Sequence, residues 1–275
     1  MKLSVAVAGK EAPPSAFVVW RGFKESIAKA ADLGYHGIEL ALKTADDVDP
    51  DHLNTWLSKY NLEVSCISTG QVFASLGLYF THPDVAMRER VIDLFTGLIH
   101  LAKDFGKMVN VGRTRGFIAE GQTPREAEQL FIDTSRRICD TAGEEDVTII
   151  IEPVNRYEIN FVNNLDEGAE LLAKVARDNL GLMPDVFHMN IEDAKIGESL
   201  ARHAKLVKYI HFADSNRRAP GWGHLDFDDV FDGLRRGGFN GWSAIEILPV
   251  PDPDSAAKKA AETMLPLIER YNQGA

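Results

Sequence analysis

The sequence of 275 residues lacks several features that define whole classes of protein. It has only two cysteines, Cys66 and Cys139, which offer neither a disulfide framework nor the paired spacing of a structural zinc site. It has no run of about 20 apolar residues that could span a membrane. The apolar run near its first residue is too short for a signal peptide. These absences predict a cytoplasmic protein that is not inserted in a membrane.

An excess of positive charge is also missing. Lysine and arginine number 30 against 41 aspartate and glutamate residues, which gives a formal net charge of −11. Phosphate backbones bind basic surfaces, so this balance argues against a nucleic-acid partner. The expected partner is a small molecule.

Nor does the chain contain a linker rich in proline or serine, or a glycine-rich phosphate loop after its first predicted strand. It has instead a regular alternation of short apolar runs with longer amphipathic stretches, typical of strands and helices. The predicted strands are residues 3–8, 37–40, 64–68, 108–111, 148–151, 181–183, 207–212 and 243–247. Eight such repeats in a chain of this length predict an α/β fold, a single (β/α)₈ TIM barrel over residues 1–275. The alternative is an open doubly wound sheet, which would need the missing loop.

Four residues of types that bind metals fall at the ends of the last four predicted strands. Glu152 ends the run TIIIE, Asp185 ends GLMPD, His211 ends VKYIH, and Glu246 lies near the end of WSAIEI. Alone, each could cap a helix, pair with a base or pack in the core. Together they predict one divalent metal ion at the carboxyl end of the barrel, where such folds keep their active sites. Three carboxylates and one imidazole favour Mn²⁺, with Mg²⁺, Co²⁺ and Zn²⁺ as alternatives.

The segments around these residues resemble known motifs. They are residues 152–158 (EPVNRYE), 185–192 (DVFHMNIE) and 211–217 (HFADSNR), the last followed by Pro220-Gly221 and Gly223-His224. They resemble the motifs after strands five, six and seven of the xylose-isomerase-like ketose 3-epimerases. Within that group, residues 68–71 (STGQ), 81–83 (THP) and 113–116 (RTRG) are most similar to the 5-keto-gluconate epimerases.

The resemblance implies a sugar epimerase that inverts the carbon next to the keto group through an enediolate. The substrate would be a ketohexose or a keto-sugar acid such as 5-keto-L-gluconate or D-tagaturonate. By analogy with the family, Glu152 and Glu246 are the acid/base pair and also metal ligands. Asp185 and His211 are then ligands only.

The resemblance also implies which residues bind the substrate. His188 and Arg217 would hold its carbonyl end, and Glu158 would bind a hydroxyl or orient His188. Gln71 is expected at the substrate as well. An arginine after strand four could pair with a substrate carboxylate, and we favour Arg115 over Arg113 for this role. Trp20, Phe73 and Trp222 are expected to form the apolar side of the pocket.

Three other functions remain open at this point. A ketose–aldose isomerase, of the hydroxypyruvate or sugar isomerase type, would use much the same metal site. An endonuclease IV-like DNA-repair enzyme would need several zinc ions and basic loops, and a non-catalytic sugar-binding barrel would be expected to lose one of the paired glutamates. Whichever applies, such barrels associate through their outer helices, so a homo-oligomer, a dimer or tetramer, is expected.

Overall fold

The computed structural model describes residues 1–13 and 16–274. Within these ranges, eight parallel strands form a nearly closed barrel: β1 Lys2–Ala8, β2 Gly37–Ala41, β3 Glu63–Ser68, β4 Met108–Val111, β5 Thr148–Ile151, β6 Leu180–Leu182, β7 Tyr209–Phe212 and β8 Trp242–Ile245. Their order around the barrel is β6-β5-β4-β3-β2-β1-β8-β7. A further two-residue strand, Trp20–Arg21, pairs with the end of β1. The predicted TIM barrel is confirmed.

In the part of the chain that the structure describes, ten α-helices connect and surround these strands. They are α1 Phe23–Asp32, α2 Pro50–Tyr60, α3 Gly70–Leu76, α4 Val85–Ala102, α5 Pro124–Glu144, α6 Leu165–Val175, α7 Val186–Glu192, α8 Ile196–His203, α9 Phe227–Arg236 and α10 Pro253–Asn272. Two 3₁₀ turns, Ala45–Asp47 and Arg113–Arg115, follow β2 and β4. Among the helices of the described residues, none is both long enough and apolar enough to cross a membrane.

Local sequence explains where several helices begin. Thr123 caps α5 by accepting a hydrogen bond from the backbone N–H of Glu126, whose carboxylate in turn accepts from the backbone N–H of Thr123. This reciprocal pair, with Pro124 in the first turn, satisfies backbone donors that have no partner within the helix. Asp49, Asn164 and Asp252 cap α2, α6 and α10, each through a side-chain oxygen that accepts one backbone N–H of the first turn. These caps fix where the four helices begin.

Two short helices were not predicted. Helices α3 and α7 have seven residues each and directly follow β3 and β6 at the mouth of the barrel. Seven residues make only about two turns, too few for an apolar period to stand out from the sequence. Both helices nevertheless carry pocket residues.

The barrel closes between β6 and β7 through only two isolated bridges. Leu182 pairs with Val207, and Asp185 pairs with His211. The backbone N–H of His211 donates to the carbonyl of Pro184 at 2.9 Å. The weakest seam of the sheet therefore joins two of the predicted metal ligands, at the carboxyl end of the barrel.

Buried side chains fall into an outer and an inner layer. The larger cluster lies between the sheet and the helices and includes Ile38 and Leu40 from β2. A small cluster fills the interior of the barrel and consists of Cys66, Ile150, Met183, Tyr209 and Ala244. Alternate residues of each strand thus point outward to the helices and inward to the axis.

Candidate metal centre and active site

Four residues converge at the carboxyl end of strands β5 to β8. Glu152 follows β5, Asp185 follows β6, His211 lies in β7 and Glu246 follows β8. One ligand atom from each lies within 4.8 Å of those from the other three. Asp185 and His211 are completely buried, Glu152 is nearly so, and Glu246 is partly exposed. The structure therefore brings together the four residues predicted from the sequence.

Two buried polar atoms in this quartet have no hydrogen-bond partner among the described residues: Oδ2 of Asp185 and Nδ1 of His211. Nδ1 of His211 lies 3.8 Å from Oε1 of Glu152 and 3.9 Å from Oε2 of Glu246, beyond hydrogen-bonding distance. Buried polar atoms without partners are costly, and a cation among these oxygens and this nitrogen would satisfy them. The donor set and its spacing fit one divalent ion.

Asp185 divides its two oxygens between local structure and the quartet. Its Oδ1 accepts a hydrogen bond of 2.8 Å from the backbone N–H of Phe187 and so caps α7. This bond fixes the side chain and leaves Oδ2 facing the other ligands. The aspartate is thus a helix cap and a candidate ligand at once, two roles that the sequence alone presented as alternatives.

His211 has a partner that the sequence analysis missed. Its Nε2 lies 2.8 Å from Oε2 of Glu39, and both side chains are completely buried. Glu39 stands between Ile38 and Leu40 in a strand whose five residues are all buried. Because successive side chains of a strand point to opposite faces, the outward-facing Ile38 and Leu40 indicate that Glu39 points into the barrel.

Burial and mutual repulsion separate the ionisation of the carboxyl groups. Burial raises the pKa of Glu246 to about 8 and that of Asp185 to about 6, against the attraction of nearby cationic groups. Burial also acts to raise the pKa of Glu152, but the adjacent His211 outweighs it and lowers that pKa to about 2. In the metal-free protein, Glu152 therefore loses its proton at a lower pH than Glu246 does. Divergent pKa values within a carboxyl pair are typical of acid/base partners.

Arg217 connects two carboxylates on the wall of the site. Its Nη1 donates to Oε1 of Glu158 at 2.8 Å, and its Nη2 donates to Oε2 of Glu246 at 3.0 Å. The guanidinium carbon lies 3.7 Å from the ring centroid of Phe17 and 4.8 Å from that of Phe187. Two aromatic faces and two carboxylates therefore hold this cation in one orientation.

His188 is held in one orientation by an amide. Nδ2 of Asn155 lies 2.7 Å from Nδ1 of His188 and also donates to Oε1 of Glu158 at 3.1 Å. With Nδ1 as the acceptor, Nε2 carries the hydrogen and points towards the quartet, 3.7 Å from Oε1 of Glu152. Burial lowers the pKa of His188 to about 3, so its ring is neutral at physiological pH. His188 thus presents an N–H donor without a positive charge.

A cavity that is open to solvent lies above these residues. Its polar lining includes predicted substrate-binding residues, namely Gln71, Glu158, His188 and Arg217, together with Glu152 and Glu246. Asp185 and His211 are not part of the lining and lie beneath it. The side-chain nitrogen of Gln71 donates to the carbonyl of Ala41 at 2.6 Å, which fixes the amide in the wall.

Arg115 is placed differently from our expectation. Its side chain is completely buried and donates to four backbone carbonyls, those of Gly112, Glu152, Phe161 and Val162. It therefore braces the loops after β4 and β5 and does not line the cavity, so its assignment as a carboxylate-binding residue is corrected. The 3₁₀ turn Arg113–Arg115 directs Arg113, and not Arg115, into the lining.

The aromatic residues expected along the pocket are also placed differently. Trp20 is buried and donates to Asp254, while Trp222 is exposed and outside the lining. Phe73 packs against the guanidinium of Arg113 at 4.9 Å and so supports the pocket from behind. The apolar wall of the cavity is formed instead by Pro13, Ala16, Phe17, Val18, Ala41, Ala74 and Val154.

Comparison with known proteins agrees with this architecture. Residues 27–267 match the family described as xylose isomerase-like TIM barrel. The L-ribulose 3-epimerase of Methylomonas sp. (strain DH-1) is 30% identical over 226 residues, covering 80% of this chain and 76% of the relative.

Two solved structures share the fold at lower identity. A D-allulose 3-epimerase from Methylomonas sp. in complex with D-allulose has a TM-score of 0.81 and 24% identity, over 98% of both chains. The IOLI protein with a bound zinc atom has a TM-score of 0.78 and 21% identity, over 98% of this chain and 99% of that one. At these identities the structural likeness concerns the fold alone. From the family match and the sequence relative together, the chain belongs to the xylose isomerase-like TIM barrel family.

Proposed function

We propose that this protein is a metal-dependent sugar epimerase that inverts the carbon next to the keto group of a ketose or keto-sugar acid. The observation that carries the proposal is the quartet itself, in which Oδ2 of Asp185 and Nδ1 of His211 are buried without a hydrogen-bond partner among the described residues. The name of the L-ribulose 3-epimerase relative supports an enzyme of this class. The loops of this chain at residues 68–71, 81–83 and 113–116 resemble those of the 5-keto-gluconate epimerases, which predicts a keto-sugar acid as the substrate.

Inversion requires two acid/base groups that reach one carbon. We assign these roles to Glu152 and Glu246, which both line the cavity. One carboxylate removes the proton from the carbon, and the electron pair of the C–H bond passes to the neighbouring carbonyl to form an enediolate. The other carboxyl group returns a proton to the opposite face, so atoms and charge balance and only the configuration changes.

The remaining residues would orient the substrate and stabilise the negative charge that develops on its oxygens. A divalent ion on Glu152, Asp185, His211 and Glu246 would polarise the keto oxygen and its neighbouring hydroxyl. His188, with Nε2–H facing the cavity, and Arg217, with its fixed guanidinium, are positioned to donate hydrogen bonds to substrate oxygens. Glu158 keeps Arg217 in place and is available to a hydroxyl. Mn²⁺ is the ion that we expect.

Arg113 favours a substrate that carries an acid group. It lines the cavity, its Nε is buried without a hydrogen-bond partner, and no described carboxylate forms an ion pair with it. Arg217, in contrast, is already neutralised by two carboxylates. A guanidinium with free donors in a cavity binds carboxylates well through paired hydrogen bonds. We therefore propose a keto-sugar acid ahead of a neutral ketose.

The residues of the quartet also bear on the competing functions. Among the described residues, the quartet is the one cluster of potential ligands found, which disfavours the several zinc ions of an endonuclease IV-like enzyme. Both paired glutamates are present, which disfavours a non-catalytic barrel. A ketose–aldose isomerase would use the same residues, and only the products of the reaction distinguish it from an epimerase. A cytoplasmic location and a homodimer or homotetramer remain predictions.

A substrate panel tests the proposal. The Mn²⁺-loaded protein is incubated with fructose, tagatose, psicose, 5-keto-gluconate and tagaturonate, and the products are identified by NMR. A diastereomeric ketose or keto acid supports epimerisation, with the acids expected to react faster. An aldose product would replace the proposal with isomerisation. No product from any of them, in protein shown to bind Mn²⁺, would reject it.

A further inference from the structure

We propose that Glu39 is a positioning residue for the metal centre, which holds His211 so that Nδ1 is the ring nitrogen presented to the ion. The inference rests on the proposed metal site and adds a residue outside the quartet. Glu39 does not line the cavity, so it cannot touch a substrate there. Its effect would pass through the imidazole.

The position of Glu39 in the barrel explains why it points at His211. Glu39 lies in the middle of β2, paired with Ala6 of β1 and Cys66 of β3. The register between β2 and β3 shifts by one residue at this point, so that Ser65 has no partner in the ladder. Such an irregularity rotates neighbouring side chains. It accompanies the inward placement of Glu39, whose neighbours Ile38 and Leu40 face the outer helices.

The contact between the two side chains assigns the imidazole tautomer. Oε2 of Glu39 lies 2.8 Å from Nε2 of His211. A carboxylate can only accept, so Nε2 must carry the hydrogen. In the neutral ring Nδ1 then has its lone pair free, and it is this atom that faces Glu152 and Glu246 without a hydrogen-bond partner. A ring hydrogen on Nδ1 would leave no lone pair for an ion.

The surroundings of Glu39 favour a role beyond packing. The interior cluster next to it consists of apolar residues and Tyr209, whose hydroxyl is already bonded to Ser4 and Ser65. Oε1 of Glu39 is buried and has no hydrogen-bond partner in residues 1–13 and 16–274. A buried carboxylate with one unpaired oxygen costs stability, and an apolar side chain would fill the same space without that cost. The Tyr209 ring packs against His211 in an edge-to-face arrangement, with ring centroids 5.7 Å apart, and completes the support of the imidazole.

The first experiment measures metal affinity in Glu39→Gln. The variant keeps the shape of the side chain and removes its charge, so Mn²⁺ affinity, measured by EPR of free Mn²⁺, should fall about 10- to 100-fold. Asp166→Asn is the matched control, since Asp166 also bonds a histidine, His203, with Oδ1 and Nε2 at 2.7 Å but outside the site. The control should bind Mn²⁺ as the wild type does.

The second experiment uses the wild-type protein, so its result does not depend on the folding of a variant. Long-range ¹H–¹⁵N spectra of the zinc-loaded wild type, with ¹⁵N-labelled histidine, should show His211 protonated on Nε2. A His211 ring protonated on Nδ1, or equal Mn²⁺ affinity in wild type and folded Glu39→Gln, would overturn the role of Glu39 alone. If the wild type itself binds no Mn²⁺ at the quartet, the proposed metal centre fails with it. These outcomes separate the two proposals.

Discussion

Nη2 of Arg217 donates a hydrogen bond of 3.0 Å to Oε2 of Glu246, a residue that we also assign as acid/base and metal ligand. Arg217 adopts a left-handed backbone with φ of 59°, which is unfavourable for a residue with a β-carbon. Its backbone is held there by bonds to Asp214 and Leu248. Strained conformations of this kind are retained where the surrounding structure determines them, often at functional sites. Because of this hydrogen bond, the protonation state of Glu246 depends on Arg217.

Replacing Arg217 tests this dependence. Arg217→Met removes the donor that faces Glu246 and the cavity, and we expect kcat to fall about 100-fold, as with the loss of a donor to developing negative charge. Arg218→Met is the control, because Arg218 is the next residue and exposed to solvent. Steady-state kinetics on the best substrate measure both. Equal kcat values in the two variants would remove Arg217 from the mechanism.

The two-base mechanism predicts equal importance for both glutamates. Glu152→Gln and Glu246→Gln should each reduce epimerisation at least about 100-fold, since an amide cannot exchange the substrate proton. Glu63→Gln, at the opposite end of the barrel, should retain activity. Circular dichroism checks that each variant is folded. A folded variant at either position with most of the wild-type activity would contradict the pairing.

Arg113 and Arg115 are expected to have different effects although only one residue separates them. Arg113→Gln should raise KM for a keto-sugar acid about 10-fold or more and change KM for a neutral ketose little, because only the acid offers a carboxylate. Arg115→Met should instead lower the free energy of unfolding by about 3 kcal/mol or more, since it leaves buried carbonyls without donors. Kinetics on both substrates and urea unfolding separate the effects. An equal rise in KM for acid and neutral sugar in Arg113→Gln would exclude a carboxylate contact.

The pH dependence of stability tests the raised pKa of Glu246 in metal-free protein. Burial raises this pKa to about 8 from 4.5, so the folded state holds a proton that the unfolded chain releases. The stability from this group is therefore fully present below pH 4.5 and is lost as the pH rises through 8. His188, whose pKa burial lowers to about 3, acts in the opposite direction over this range. The difference between wild type and Glu246→Gln isolates Glu246.

Urea unfolding in EDTA between about pH 5 and pH 9 provides the measurement. The stability of wild type relative to Glu246→Gln should decrease steadily as the pH rises across this range. A constant difference would show that Glu246 has an ordinary pKa in the folded protein.

The sequence was sufficient for the barrel and the quartet because both depend on local patterns. Apolar runs and amphipathic periods mark the strands and the longer helices, and the ligands stand at strand ends, such as Glu152 after TIII. The missed features depend on contacts between distant segments. Glu39 and His211 are 172 residues apart in sequence, and nothing near either residue identifies the other. Arg113 and Arg115 are indistinguishable by type, and only the 3₁₀ turn decides which enters the cavity.

The most direct test of the central claim is metal-dependent proton exchange in D₂O. Mn²⁺-loaded protein is incubated with a keto-sugar acid or ketose, and deuterium incorporation is followed by NMR, with and without EDTA. The account predicts label at the carbon next to the keto group, in substrate and epimer, and its loss when EDTA removes the metal. Label at C1 or C2 with an aldose product, or exchange that persists in EDTA, would contradict it.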